Sequence, residues 1–324
     1  MTPIFSKPVT RRRALFIGAV LVAGSALPSA LMAPHAFAAA PVRWSGQALG
    51  AHAEIELVGA SDAEARPVLA AVEAEIARLE GIFSLYRQDS ALSRLNRDGA
   101  LTDPPPELLE VLALSRTVHR QTGGLFDPTV QPLFRFYAEW FTRAHRARLP
   151  MTRELAPVLA RVGLDKLILD DTRIAFAQPG MALTLNGIAQ GYITDCIAAL
   201  LRSRGYGNML LDIGEIQAIG AGVDGRGWHV GIKKDPSGEM LAERLTIHDM
   251  AVATSMMLGT TFDGAGSAGH ILHPQLGLSR HFHSRASVIH PSAAIADAYS
   301  TAAILMSDSD VVRLRESGLD ARVS

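Results

Sequence analysis

The C-terminal half of the chain contains several short alternating segments, two of which are separated by a gap of hairpin length. They lie at 228–232, 245–247, 250–254 and 286–289. Alternation of apolar and polar residues turns one face of a strand to the core and the other to solvent. Helices are predicted among the strands, but without a repeating strand–helix–strand order. The pattern therefore predicts an α+β fold with mainly antiparallel sheets.

Helical spacing of apolar residues predicts a helix over 63–80 that ends at Gly81. A second helix is predicted from the three prolines at 104–106 to about Thr122. The aromatic and basic segment 134–148 is interpreted as a surface helical insertion. A strand over 181–185 is expected to lead through a tight turn into a helix that continues to Leu201.

The first 38 residues have the features of an export signal. Arg11, Arg12 and Arg13 precede an apolar run over 14–27, and residues 36–38 form a small-residue cleavage site. A membrane anchor is the alternative, but the run is shorter than the ~20 residues a spanning helix needs and is followed by a proline. We expect a twin-arginine signal, a periplasmic protein, and a single domain over 39–324.

The formal net charge is −1, and the four basic residues of the predicted signal would leave −5 on removal. No basic surface for nucleic acid is indicated. The single Cys196 cannot form an internal disulfide. The remaining chain of about 286 residues is long enough for one large core or two intimately joined lobes.

Asp297 and Thr301 are four residues apart in a small-residue helix, so their side chains lie on one face. A carboxylate and a hydroxyl are hard oxygen ligands, suited to a Mg²⁺ ion that completes its shell with phosphate and water. The same spacing also occurs by chance on ordinary helices. On its own it leaves a metal site and a plain helix face both open.

Two other segments have a functional and a structural interpretation. The small residues of 184–195 allow either a phosphate at a helix N-terminus or close packing of that helix on a sheet. His270 follows a glycine-rich loop and could accept a proton from an attacking hydroxyl, or could simply be a hydrogen-bonding loop residue. The other histidines, including His273, His281, His283 and His290, match no tetrahedral zinc spacing.

Ordered motifs lie along the chain at 83–87, 89–96, 122–128, 187–192, 253–255, 270–274 and 296–301. Taken together, these motifs resemble the FAD:protein FMN transferase family, known as ApbE-type flavin transferases. The resemblance covers nearly all of 39–324, and the sequences of 184–191 and 212–216 are most similar to the NosX-like branch.

The resemblance implies a T-fold-like α+β protein with two intimately joined lobes. It also implies an exported enzyme that binds FAD with Mg²⁺, cleaves the pyrophosphate and joins FMN to a Thr or Ser hydroxyl of an acceptor flavoprotein, releasing AMP. The acceptor would be a NosR-like component of nitrous oxide respiration and could be membrane-bound. The oligomeric state is not indicated.

Site residues follow from the same resemblance, position by position. The carbonyl of Gly187 and the side chains of Asp297 and Thr301 would hold the metal. His270 would orient or deprotonate the acceptor hydroxyl, and Asp297 would act with it in catalysis. The predicted contacts to FAD are Tyr86, Leu125, Phe126, Asp127, Thr184, Gln190 and Leu272.

Three positions depart from the family pattern. Thr184 stands where Asp is frequent, Gln190 where Lys or Glu is frequent, and His273 where the family has Asp. Two other functions therefore stay open: a metal-dependent FAD pyrophosphatase, which sends FMN to water, and a non-catalytic FAD-binding maturation factor.

Overall fold

The computed structural model describes residues 40–142, 148–236, 240–263, 266–279 and 281–324, together with the backbone of 19–21. Apart from that short backbone segment, the predicted export signal lies outside the described residues. No helix within the described part of the chain is long and apolar enough to span a bilayer.

The strands are β1 (Ala19–Leu21), β2 (Val42–Ala48), β3 (Ala51–Leu57), β4 (Ala100–Thr102), β5 (Leu167–Leu169), β6 (Arg173–Phe176), β7 (Met209–Asp212), β8 (Ile216–Ile219), β9 (Trp228–Lys233), β10 (Leu241–Ile247), β11 (Met250–Met256), β12 (Arg285–His290) and β13 (Asp320–Val323). The α-helices are α1 (Asp62–Phe83), α2 (Ala91–Asp98), α3 (Pro106–Gln121), α4 (Gln131–Thr142), α5 (Thr152–Leu159), α6 (Ala189–Ser203), α7 (Ala293–Ala303) and α8 (Asp308–Glu316). Short 3-10 turns lie at Pro128–Val130 and Leu164–Lys166.

The centre of the fold is a seven-stranded sheet in the order β13-β12-β11-β8-β7-β3-β2. Two three-stranded sheets, β1-β9-β10 and β4-β6-β5, accompany it. Neighbouring strands pair antiparallel in all three sheets. The predicted α+β class is confirmed.

Helices cover one face of the large sheet and a second sheet covers the other. Helix α7 packs on β11 and β12, α6 packs on α7, and α1 packs on α6. On the opposite face, Val252 and Ile289 of the large sheet meet Val230 and Ile232 of β9 in a shared apolar cluster. Burial of apolar surface on both faces stabilises this layered arrangement.

The first predicted helix is confirmed, but its predicted end at Gly81 is wrong. Helix α1 begins at a capping box, in which Ser61 and Glu64 bond each other's backbone N–H, and continues through Gly81 to Phe83. Glycine costs a helix only about 1 kcal/mol. Burial of Ile82 and Phe83 outweighs that cost.

The segment predicted as a surface insertion is helical but not superficial. In α4, Leu133 and Tyr137 are fully buried. The ring of Tyr137 lies 5.4 Å from that of Phe262, in a small apolar cluster of its own. The aromatic residues of the segment are explained by their packing in or against this apolar cluster. Residues 143–147 of the predicted insertion lie outside the described residues.

The strand predicted over 181–185 is absent; the segment is irregular. It is fixed by Asn96, whose side-chain amide donates to the carbonyl of Leu183 at 2.8 Å and whose oxygen accepts the Leu183 N–H at 2.7 Å. A side chain thus supplies the hydrogen bonds that a neighbouring strand would otherwise give. This clasp positions the chain that leads into α6.

Candidate functional site

A cleft opens where the N-terminus of α6, the middle of α7 and two loops meet. Most of the predicted site residues line it. The lining consists of Leu125, Phe126, Asp127, Pro128, Val130, Phe134, Thr184, Asn186, Gly187, Gln190, Glu215, Thr254, Ser255, Met256, Gly259, His270, Ile271, Leu272, Pro274, Asp297, Thr301 and Leu305.

Helices α6 and α7 are fastened together beside the cleft. The half-buried carboxylate of Asp195 in α6 accepts the backbone N–H groups of Ala293 and Ala294 and the hydroxyl of Ser292, at 2.7 to 3.0 Å. Three donors at the start of α7 thus find one acceptor on α6. Gly191 allows this approach, because a β-carbon there would lie 2.3 Å from the carbonyl oxygen of Ala293. Close packing therefore accounts for this small residue of 184–195.

The three residues predicted to hold a metal lie at one point of the cleft. A β-carbon added to Gly187 would lie 2.8 Å from Thr301 Oγ1, so the two residues are in direct contact. The carboxylate of Asp297 accepts the N–H of Gly191 at 3.3 Å, in the first turn of α6 and four residues beyond Gly187. Ser255 lies 3.3 Å from Thr301 through the hydroxyl oxygens. Residues of α7 and of the turn before α6 that carry hard oxygen atoms thus line the same cleft.

Burial raises the pKa of Asp297 to about 8. Glu215 is also buried, and desolvation, with the nearby carboxylates of Asp297 and Asp212, raises its pKa well above the usual range. These two buried acidic groups share a cleft that no Lys or Arg side chain among the described residues lines. Glu215 was not predicted as a site residue. Its one sequence signal is that it is a charged residue directly after the largely apolar segment 209–214, which itself contains Asp212.

The donor set fits a divalent cation of the Mg²⁺ class. A carbonyl, a hydroxyl and a carboxylate offer hard oxygens, and one oxygen of Glu215 has no hydrogen-bond partner. Among the described residues, no three His, Cys, Asp or Glu side chains are grouped as a metal site. A cation here would therefore need further ligands from the substrate or from water, as Mg²⁺ bound to phosphates commonly has.

His270 is held in a defined orientation at the edge of the cleft. Its Nδ1 lies 3.0 Å from the carbonyl oxygen of Thr260, and its backbone N–H donates to the same oxygen at 3.0 Å. A carbonyl accepts only, so Nδ1 carries the proton and the lone pair is on Nε2. Burial lowers the pKa of His270 to about 4. The imidazole is therefore neutral at neutral pH and can accept a proton at Nε2.

Leu125, Phe126, Asp127 and Leu272 line the cleft as predicted for a ligand contact. The carboxylate of Asp127, however, is engaged within the protein. It accepts the N–H and hydroxyl of Thr129 at 2.8 and 2.6 Å and the N–H of Leu164 at 3.1 Å. These bonds join two loops, which indicates a structural role for the side chain.

Thr184 and Gln190, the neutral replacements, also line the cleft. Thr184 Oγ1 accepts the N–H of Asn186 at 3.3 Å. Gln190 lies against Gly214, whose φ of +94° is a conformation that glycine adopts readily. The side-chain Nε2 of Gln190 is buried and has no hydrogen-bond partner. An unpaired buried donor is available for a ligand oxygen.

Tyr86 lies outside the lining of the cleft. Its side chain is 80 % exposed, and its N–H is fixed by the hydroxyl of Ser84 at 3.1 Å. The predicted contact with a flavin stays a prediction for this residue. An exposed aromatic side chain on a defined turn could cover only a ligand that extends out of the cleft.

The structure gives His273 a local role. Its Nδ1 accepts the N–H groups of Gln275 and Leu276, both at 3.3 Å. Asp and Asn side chains bond the backbone two residues on in the same manner. His273 thus closes the turn that an Asp could close, and it does not line the cleft.

The chain is similar to known proteins over most of its length. The model of the ApbE family matches residues 49–323. An FAD:protein FMN transferase of Haemophilus influenzae is 27% identical over 257 residues, covering 76% of this chain and 74% of that protein. One from Klebsiella pneumoniae is 26% identical over 286 residues, covering 85% and 81%.

Solved structures show the same architecture. The apo form of the Pseudomonas stutzeri flavinyl transferase ApbE superposes with a TM-score of 0.77 at 26% identity, covering 90% of this chain and 92% of that one. The flavin transferase ApbE of Vibrio cholerae gives a TM-score of 0.76 at 23% identity, covering 87% and 93%.

Proposed function

This chain belongs to the ApbE family, and on that premise we propose that it transfers FMN from FAD to a hydroxyl group of an acceptor protein. The observation that carries the proposal is the shared cleft, in which Gly187, Asp297 and Thr301 present oxygen donors and His270 presents a free imidazole nitrogen. We infer the substrate from the relatives named above, and we infer the roles of the residues from the geometry of the cleft.

We further propose Mg²⁺ as the cation, held by the Gly187 carbonyl and by the side chains of Asp297 and Thr301. When bound, it would neutralise charge on the pyrophosphate of FAD. The cleft would position the dinucleotide, with the unpaired Nε2 of Gln190 available to one of its oxygens. Phosphoryl transfer depends mainly on such positioning and charge neutralisation.

His270 would act on the nucleophile. Its Nε2 accepts the proton of a Thr or Ser hydroxyl on the acceptor, while Nδ1 stays bonded to the Thr260 carbonyl. The hydroxyl oxygen forms a bond to the FMN phosphorus, and the bond from that phosphorus to the oxygen bridging to AMP breaks. AMP leaves with the bridging oxygen, and the product is a phosphoester-linked flavin.

The test is incubation of the chain, expressed from residue 39, with FAD, Mg²⁺ and an acceptor domain. Mass spectrometry should show an FMN increment on a Thr or Ser and an equal amount of AMP. Free FMN without labelled acceptor would indicate an FAD pyrophosphatase instead. Bound FAD without AMP release would indicate a non-catalytic FAD-binding factor. Either result would contradict transfer.

The finer assignments are also proposals. The features of residues 1–38 support export to the periplasm by the twin-arginine route. The sequences of 184–191 and 212–216 support a NosX-like protein. Such a protein would flavinylate a NosR-like acceptor of denitrification, which could be membrane-bound. Flavinylation of such an acceptor, but not of unrelated flavoproteins, by the purified chain would support the assignment.

A further inference from the structure

Glu215 occupies an unusual position for a glutamate. It ends the three-residue connection 213–215 between β7 and β8, which turns at Gly214 with a φ of +94°. The connection lies against Gln190 of α6, and Glu215 lines the same cleft as Asp297. Its side chain is thus delivered to the site by a tight hairpin rather than by a mobile loop.

The hydrogen bonding of Glu215 is incomplete. Oε2 is buried and has no hydrogen-bond partner, and the backbone N–H of Thr254 lies near the carboxyl and favours its ionised form. The residue as a whole is only 5 % exposed. A buried carboxylate oxygen without a partner is costly, and such groups persist mainly where a ligand, ion or water satisfies them.

The charges around Glu215 indicate which kind of group is missing. The charged neighbours that influence it in the described structure are Asp297 and Asp212, both acidic. Gln190 Nε2 is an unpaired buried donor of the same cleft, but it makes no bond to Oε2. Two carboxylates that face one cleft without a basic partner are stabilised best by a cation between them.

We propose that Glu215 is a further residue of the divalent-cation site, binding the cation or one of its waters through Oε2. The proposal rests on the proposed function, because that function brings a cation to Asp297. Glu215 thereby adds a second negative charge to the donors from Gly187, Asp297 and Thr301. A hydrogen-bond donor of FAD is the competing occupant, and the experiment separates the two.

The test measures binding of Mn²⁺ alone, by electron paramagnetic resonance titration, to the unaltered chain from residue 39 and to three variants. Glu215→Gln keeps the shape and removes the charge. Asp212→Asn is the matched control, because Asp212 influences Glu215 but does not line the cleft. Asp297→Asn is the reference for a lost ligand.

We expect Glu215→Gln to weaken Mn²⁺ binding at least about tenfold, within the range seen when groups around a metal are removed. Asp212→Asn should change it less than about threefold, and Asp297→Asn should abolish it. In EDTA, the melting temperature of Glu215→Gln should equal or exceed that of the unaltered chain, since an uncompensated buried carboxylate is removed.

Four results would overturn the inference: no Mn²⁺ binding by the unaltered chain, equal weakening by Glu215→Gln and Asp212→Asn, unchanged Mn²⁺ affinity in Glu215→Gln, or weakened FAD binding in EDTA with Mn²⁺ affinity unchanged. The last identifies a substrate contact. Each is distinct from failure of the proposed function, which would appear as absence of AMP and labelled acceptor with the unaltered chain.

Discussion

Gly187 lies directly against Thr301, so that a β-carbon on the glycine would be 2.8 Å from the threonine hydroxyl oxygen. Gly187→Ala should therefore displace that hydroxyl, destabilise the fold by about 1–3 kcal/mol through overpacking and lower flavin transfer at least about tenfold. Gly207→Ala is the control, because a β-carbon at Gly207 meets no atom within 4 Å. Equal activity in the two variants would contradict the placement of Thr301.

Asp297 should make the metal-free protein less stable as the pH rises. Its pKa is raised to about 8, so between its ordinary value of 3.8 and 8 the folded state binds a proton that the unfolded state releases. The melting temperature in EDTA should fall between pH 6 and 9 by at least about 3 °C. In Asp297→Asn this fall should be much smaller, and Mg²⁺ should no longer stabilise the protein.

His270 should be able to accept a proton at pH values far below those at which a histidine is ordinarily neutral. Its pKa is lowered to about 4, so the neutral imidazole persists until the pH approaches that value. The acid limb of kcat/KM attributable to His270 should lie near pH 4 to 5; a limb at 6.5 would contradict its buried environment. His270→Asn should lower transfer by about 10²–10⁴ while FAD still binds, as equilibrium dialysis can show.

The same residue gives a stability prediction of the opposite sign to that for Asp297. Between pH 6.5 and about 4 the unfolded chain binds a proton at His270 that the folded state excludes. Stability from this group is therefore complete above pH 6.5 and is lost as the pH falls towards 4. Urea unfolding at pH 5 and 7 should show a smaller difference in His270→Asn than in the unaltered chain.

His273→Asp should be close to neutral for stability, because Asp can also accept the two backbone N–H groups of the turn. His273→Ala leaves them to water and should cost about 1 kcal/mol. Urea unfolding measures both variants. Since His273 does not line the cleft, FAD turnover should be the same in the two; a loss confined to His273→Asp would contradict this local role.

Periodicity and spacing were informative where a local rule decides the structure. The alternating segments became β9 to β12, and Asp297 and Thr301, four residues apart, both line the cleft from α7. An i,i+4 pair shares a helix face whatever packs around it. These features depend only on the spacing of residues within one helix or strand, which can be read from the sequence.

Other features depend on residues far along the chain. The segment 181–185 is irregular because Asn96 binds Leu183. The carboxylate of Asp127 is engaged by Leu164 as well as by its neighbour Thr129. Glu215 matters because its oxygen lacks a partner in three dimensions. A local sequence pattern does not show whether a polar group has a hydrogen-bond partner far away in the chain.

The bonds from Asp195 to the start of α7 set the spacing between the helix that carries Asp297 and the turn that carries Gly187. If a cation binds as proposed, its ligands are already held at a fixed separation, and little backbone freedom would be lost on binding. Selectivity by ionic radius would then be expected, since a larger cation such as Ca²⁺ would have to move apart two helices that the half-buried carboxylate of Asp195 holds together.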